Sequence, residues 1–275
     1  MSRHSLRSPE DLERQRATKS LWESGDFGLI AKFNEATAAE FLSRLSFAPS
    51  SRVLDLACGS GNLALLTARA GCITSGVDLA SNLVVQAQAR ARARQLPIDF
   101  QEADLESLPY PEAHFEVVLS LFGLMFATRP EVATAELMRV CRPGGLIALA
   151  HWAPEGFVAE CLRLIQSRRP GVADWTGPLA WGDEAVVRQR LGSQVEELRC
   201  TPRVARLRYP FTPGQTVEFF RRYYGPIVRA FEGLSGDEAQ ELQHDLENLY
   251  HGHNRSRDGV TEIEAPYLEI VATRR

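Results

Sequence analysis

Lysine is almost missing from this chain of 275 residues: Lys19 and Lys32 are the only two, and arginine supplies the rest of its 31 basic residues. With a formal charge of −4 there is no general excess of positive charge, and a nucleic-acid partner would need a concentrated basic face. The densest basic stretch, QARARARQ at 88–95, spaces Arg90, Arg92 and Arg94 by two. On a helix that spacing scatters them around the axis, which reads as a solvated surface. Cysteine is sparse and odd in number: five residues, at 58, 72, 141, 161 and 200, without a Cys-x-x-Cys pair or a histidine cluster. A disulfide framework and a zinc site are both disfavoured, so no metal is expected. The opening segment MSRHSLRSPEDLERQRATKS is polar and lacks a secretory apolar core, which points to a reducing cytoplasm. The longest apolar run, VVLSLFGLMFA at 117–127, is too short for the ~20 residues that span a bilayer. It reads as a buried strand and its exit.

What is present is an ordinary globular composition, 44% hydrophobic and 24% charged. No internal repeat stands out. Two helical patterns over roughly residues 9–46 flank the break ESGDFGLI, and form an N-terminal cover (1–48). Apolar strands then alternate with helices through the core 49–152. The strands are 52–57, CITSGVDL, IDFQEAD, the near-continuous FEVVLSLF, and LIALAHW. Gly71 closes the first of these helices, Ser81 caps the second, Pro97 stops it, and Pro130 opens the third, which RPGG ends. Such alternation gives an α/β fold with an open, doubly wound, mostly parallel sheet. From 153 to 275 the pattern changes. Helices near 156–168 and 183–191 precede a strand interrupted at Pro202. Two helices, one capped by Thr212 and one over 235–251, then form a lid (about 210–262) before the terminal strand PYLEIVATRR.

Ligands of doubly wound sheets sit at the carboxyl ends of the strands. Asp55, Asp78 and Asp104 fall at the ends of three successive strands, as LDL, VDL and ADL. The turn CGSGN places Gly59, Gly61 and Asn62 at the start of a helix, where backbone N–H groups favour an anion, while Asp55 beside it favours a cation. An amino-acid zwitterion supplies both charges. Asp78 is placed to accept from both hydroxyls of a ribose, and Asp104 from an exocyclic amine, with Leu79 and Leu105 flanking a flat base. Methionine joined to adenosine satisfies all of these. Gly59, Gly61 and Ala64 also fit the dinucleotide pattern G-x-G-x-x-A, but a nicotinamide enzyme usually begins near that strand and has no acid facing the pyrophosphate.

The ordered segments VLDLACGSGN, GVDLA, EADLESLPY, FEVVLSLFGLMF and RVCRPGGLIALAHW resemble the class I S-adenosylmethionine-dependent methyltransferases, most of all the subgroup that includes ubiquinone and menaquinone biosynthesis enzymes. The resemblance spans roughly residues 50–152. It implies a seven-stranded Rossmann-like sheet with an antiparallel last strand, S-adenosylmethionine as cofactor and S-adenosylhomocysteine as product. It places Asp55, Ala57 and the turn Gly59 to Asn62 at the methionine moiety, Asp78 at the ribose, and Asp104 with Leu105 at the adenine. Ser120 and Phe122 line the floor near the sulfonium. Where related enzymes close an N-terminal tyrosine over the cofactor, this chain offers Phe27, which has no hydroxyl.

The expected activity is O- or C-methylation of a small hydrophobic or aromatic acceptor. A catalytically silent protein that binds the same cofactor, as sensor or partner, is the alternative. Histidine suits a general base by its unperturbed pKa, and His151, at the end of the fifth strand, is the candidate; a histidine satisfied by neighbouring backbone is the bland reading. Tyr223 and Tyr224 are candidate pocket residues or simply core. Cys58 reads as packing, and His251 and His253 lack a third metal ligand in register. No Asn-Pro-Pro-Tyr-type sequence follows the fourth strand, which by resemblance argues against nucleobase amines as acceptors.

Overall fold

Alternating apolar strands and amphipathic helices build one seven-stranded sheet in the computed structural model, which describes residues 8–171 and 173–275. Helices α1 (Pro9–Glu23), α2 (Phe27–Ala31) and α3 (Glu35–Ser43) precede β1 (Arg52–Leu56). There follow α4 (Asn62–Arg69), β2 (Ile73–Asp78), α5 (Ser81–Ala93), β3 (Ile98–Glu102), β4 (Phe115–Leu121), α6 (Pro130–Val140) and β5 (Cys141–Trp152). Next come α7 (Phe157–Arg168), α8 (Thr176–Ala180), α9 (Glu184–Leu191) and β6 (Val195–Tyr209). The remainder is α10 (Pro213–Tyr223), α11 (Gly225–Phe231), α12 (Gly236–His253) and β7 (Thr261–Arg274).

The strand order is β3-β2-β1-β4-β5-β7-β6. Strands β1 to β5 pair in parallel, and β7 runs antiparallel to both β5 and β6. The chain therefore leaves β1 toward β2 on one side and later returns to its other side as β4. At that reversal the connections diverge and open a crevice beyond the strands' carboxyl ends. Val53, Leu54, Val118 and Leu119 are fully buried, as expected for central strands covered on both faces.

Several local signals act as their chemistry demands. Thr212 caps α10 in a reciprocal box with Gln215, Pro130 opens α6, and Gly71 follows α4 at φ 91°. Others act differently. Ser81 is the first residue of α5 rather than its cap, and Glu23 of α1 accepts from both its backbone N–H and its hydroxyl. β5 begins at Cys141, so RPGG belongs to the strand; the register jumps from Phe115 opposite Cys141 to Val117 opposite Leu146. β6 runs unbroken through Pro202, which pairs with Leu268 on an edge strand, where a missing N–H is tolerated. The irregularity falls earlier, around Glu197 at φ 53°. Three helices, not two, separate β6 from β7, and the short α8 was not anticipated. β3 stops at Glu102, leaving Asp104 in the following loop, bridged to Ser107.

Candidate functional site

At the mouth of the crevice the β1–α4 turn packs three left-handed residues into five positions: Ala57 (φ 50°), Gly59 (φ 53°) and Gly61 (φ 88°). The sharp bend turns the backbone of Cys58 to Ser60 toward a cavity of about 190 Å³ that also receives Asp55, Asp78 and Asp104. At Gly59 an added Cβ would meet only the ring of Phe27, 3.9 Å away. Phe27, the residue GDFG offers in place of a tyrosine, thus lies over the turn. Gly61 serves another need and is not on the cavity wall: its Cβ would lie 2.9 Å from Phe100 Cζ, so the glycine lets α4 seat against β3. Asn62 lines the cavity, but its side chain is engaged, donating to Ala31 O and accepting from Arg90 Nη1. Arg90 also donates to Ser60 O at 2.8 Å and to Glu35, so it clamps the turn from behind. The reading of the QARARARQ arginines as solvated surface fails for this one.

The acids hold the loops that surround them. Asp55, 2% exposed, accepts the Ala64 N–H at 3.0 Å. Asp78 accepts from Gly59 N–H at 2.8 Å and from Ala80 N–H at 2.9 Å, tying the β1 turn to the β2 exit. Burial raises the Asp55 carboxyl to about 8, an effect that the Ala64 N–H opposes and the nearby Asp78 charge reinforces. Burial raises Asp78 as well, against the pull of Ala80 and Gly59. Two acids held this way in a cleft await a cationic or hydrogen-bond-donating ligand. Asp104 accepts from Glu106 N–H at 2.9 Å and from the Gln15 side chain of α1. Leu79 and Leu105 line the same end.

Across the cavity, Phe122 leaves β4 at φ 63°, a conformation costly for a bulky residue. Its ring stacks on Trp152 at 3.6 Å, and the following Gly123 fits against Ala57, whose Cβ would be 2.4 Å from a Cβ placed there. Ser120 does not reach the cavity. Its hydroxyl donates to Leu56 O at 2.8 Å and accepts from Leu124 N–H at 3.0 Å, so it braces the strand exits instead of lining the floor.

Two further expectations need correction. Trp152 faces the cavity, so its neighbour His151 points to the other face of the sheet. There it is fully buried, 5.0 Å from Trp181, with neither ring nitrogen hydrogen-bonded. Burial, with the Arg190 charge adding, lowers it to about 3 and keeps the ring neutral. It is neither a base for the cavity nor a histidine satisfied by backbone. Tyr223 also misses the wall: its ring packs on Phe219 and its carbonyl accepts the Asp26 N–H. Tyr224 does line the cavity. His253 pairs with Glu160 at 2.9 Å, and no group of three potential metal ligands occurs among the described residues.

Several wall residues escaped the sequence reading. Trp22 sits between Phe27, Phe126 and Tyr224, at ring distances of 5.5, 4.9 and 6.2 Å. Its proximity to GDFG in the chain was the available signal. Glu106 accepts from Thr128, from Arg129 N–H and from the Arg129 guanidinium, which also reaches Asp11 and so fastens α1 over the crevice. Tyr209 and Tyr250 close the far end. Tyr250 extends the Leu242, Leu246 stripe of α12, a spacing that by itself reads as core. Among the described residues no helix is long and apolar enough to cross a membrane.

Comparison with known proteins bears on this geometry. A family model described as a methyltransferase domain matches residues 54–149. An uncharacterized protein of Mycobacterium tuberculosis is 33% identical over 268 residues, 97% of each chain. A demethylmenaquinone methyltransferase of Thermus thermophilus is 41% identical over 105 residues, which is 38% of this chain and 48% of that one. Among solved structures, the YcgJ protein of Bacillus subtilis superposes with a TM-score of 0.59 at 18% identity, covering 87% of this chain and 98% of the other. A putative methyltransferase of Bacillus halodurans gives 0.58, also at 18% identity, over 86% and 98%. At such identity the structural likeness speaks for the fold alone.

Proposed function

The chain belongs to the class I S-adenosylmethionine-dependent methyltransferases, and we propose that its acceptor is a small, largely apolar molecule methylated on oxygen or carbon. One observation carries the reading: a single cavity joins Asp55, Asp78 and Asp104 to a chamber walled by aromatic and aliphatic side chains of β5, α7, β6, α10, the α10–α11 link and α12. The residues at the acidic end suit the donor. The backbone at Gly59 is open to a carboxylate, Asp55 to the ammonium, Asp78 to the ribose hydroxyls, and Asp104 with Leu79 and Leu105 to the adenine. When bound, the donor supplies a methyl group on a sulfonium sulfur, which an acceptor lone pair displaces in line while the C–S electron pair returns to sulfur.

The chain's own part is positioning and drying. Trp22 and Phe27 roof the cavity, Phe122 and Trp152 form its floor, and Phe157, Cys161 and Leu162 of α7 close one side. Excluding water and holding acceptor and donor in register is the main catalytic demand of such a transfer. Among the described residues no lysine, arginine or histidine lines the cavity, so an acceptor with a permanent carboxylate or phosphate finds no cationic side chain among them. The decisive assay follows S-adenosylhomocysteine formation with a panel of phenols, enols and small apolar alcohols. Turnover of one or more supports the reading. Tight donor binding without turnover of any of them would favour the sensor alternative.

A further inference from the structure

Three tyrosines from three different elements meet in the apolar end of the cavity: Tyr209 at the end of β6, Tyr224 between α10 and α11, and Tyr250 of α12. Their rings surround Phe220, at 5.3, 5.6 and 5.8 Å respectively. Tyr209 is 3% and Tyr250 1% exposed and Tyr224 is half-buried, and among the described residues none of the three hydroxyls hydrogen-bonds to a protein group. Cavity-lining hydroxyls without a protein partner are free to donate to whatever fills the chamber, so three together suit a ligand that takes up their hydrogens. We infer that Tyr209, Tyr224 and Tyr250 form a cradle of hydroxyl donors for the acceptor's oxygen, and that the acceptor is a phenol or enol that binds as its oxyanion. The inference rests on the methyltransferase reading and narrows it.

The chemistry of the wall supports the choice. Burial pushes all three phenols above their ordinary range, and each is close enough to others of the group, or to Cys161, to feel them. They keep their protons and act as donors. Burial likewise raises the Cys161 thiol to about 12. Among the described residues this end of the cavity has no carboxylate or imidazole to receive a proton, His151 being turned to the other face of the sheet. An acceptor must therefore lose its proton to solvent as it binds, which selects acidic hydroxyls over alcohols and amines. Converging donors in a dry site are the standard means of holding such an oxyanion.

A binding experiment tests this without turnover. The full chain, saturated with S-adenosylhomocysteine, is titrated with 4-nitrophenol, whose phenol and phenolate absorb differently. The expected result is that the bound probe is phenolate, with its ionisation midpoint at least about tenfold toward acid. In separate Tyr209→Phe and Tyr250→Phe variants, probe affinity falls about tenfold or more and the spectral shift shrinks. Affinity for S-adenosylhomocysteine, measured by calorimetry, stays unchanged. Because neither hydroxyl has an internal partner, both variants should melt no lower than the parent. Binding of the probe as neutral phenol, no binding at all, or indifference to both substitutions would overturn the inference while leaving the methyltransferase reading intact. Absence of heat with S-adenosylhomocysteine would overturn that reading itself, and the cradle with it.

Discussion

Replacing Asp78 with asparagine separates what this acid does for the fold from what it does for the donor. Its carboxylate accepts two buried N–H groups, Gly59 at 2.8 Å and Ala80 at 2.9 Å, one on each side of the crevice. Alanine would orphan both, at about 1–3 kcal/mol each, and would confuse unfolding with lost binding. Asparagine keeps the shape and one acceptor oxygen but turns an NH₂ toward the other N–H. The expected loss of stability is therefore that of one bond, about 1–3 kcal/mol. Donor affinity should fall further, because hydrogen bonds from the ribose hydroxyls to a charged oxygen are worth about 1.5–3 kcal/mol and weaken when the charge goes, a loss of about 10- to 100-fold. Calorimetric titration with S-adenosylhomocysteine, well below the melting temperature of the variant, gives the affinity, and urea unfolding gives the stability. A folded Asp78→Asn protein that binds with parental affinity would refute the assignment.

His151→Phe should keep turnover within about twofold and should not lower the melting temperature, since no hydrogen bond is lost; a general base would instead cost about 100-fold or more in initial rate. Ser120→Ala, which orphans Leu56 O and Leu124 N–H, should lower the urea midpoint by the equivalent of about 1–3 kcal/mol, and an unchanged midpoint would contradict the bracing role. Asp55 titrates near 8 in the folded chain against 3.8 ordinarily, so its contribution to stability is full below about 4 and is lost as pH rises toward 8. A donor ammonium favours the anion. Below pH 8 donor binding should therefore release a proton, read as a dependence of the binding heat on the buffer's ionisation enthalpy, and Asp55→Asn should abolish that dependence.

The acids and the glycine turn proposed for the donor were legible as neighbours of strand ends because those signals are local: Asp55, Gly59 and Asp78 each lie within three residues of a strand end, and a strand end is marked in the sequence by where an apolar run stops. The floor was half readable for the same reason: Phe122 and Ser120 both leave β4, but which of the two faces the cavity depends on the left-handed turn at Phe122, and no local pattern marks a phenylalanine for that conformation. His151 was misjudged by a single residue of alternation, since Trp152 next to it holds the wall. The proposed acceptor end was readable only at Tyr224, which the sequence offered as a pocket candidate; Tyr209 and Tyr250 join it only after a strand and three helices fold back over the sheet, and each has a sufficient local explanation as core. Arg90 shows the converse: spacing two made it look solvated, and only the approach of Ser60 and Glu35 from other elements gives it partners.

The same division of the cavity predicts an order of binding. Among the described residues every charged side chain on its wall is an acid: Asp55, Asp78, Asp104 and Glu106. Arg129 compensates Glu106, but an oxyanion entering the cavity would still meet the field of the other acids, with no cationic side chain on the wall among the described residues, in a low-dielectric site where repulsion is least screened. A donor carrying an ammonium and a sulfonium reverses the local sign and leaves the three tyrosine hydroxyls with a partner to complete. The acceptor should therefore bind second, held back by charge rather than by a gate. Titration of the donor-free protein with 4-nitrophenol above pH 8, where both the probe and Asp55 are ionised, should show binding at least about tenfold weaker than in the S-adenosylmethionine complex, with the gap narrowing in Asp55→Asn as one acid is neutralised. Equal affinity for the two forms would remove electrostatics as the source of order.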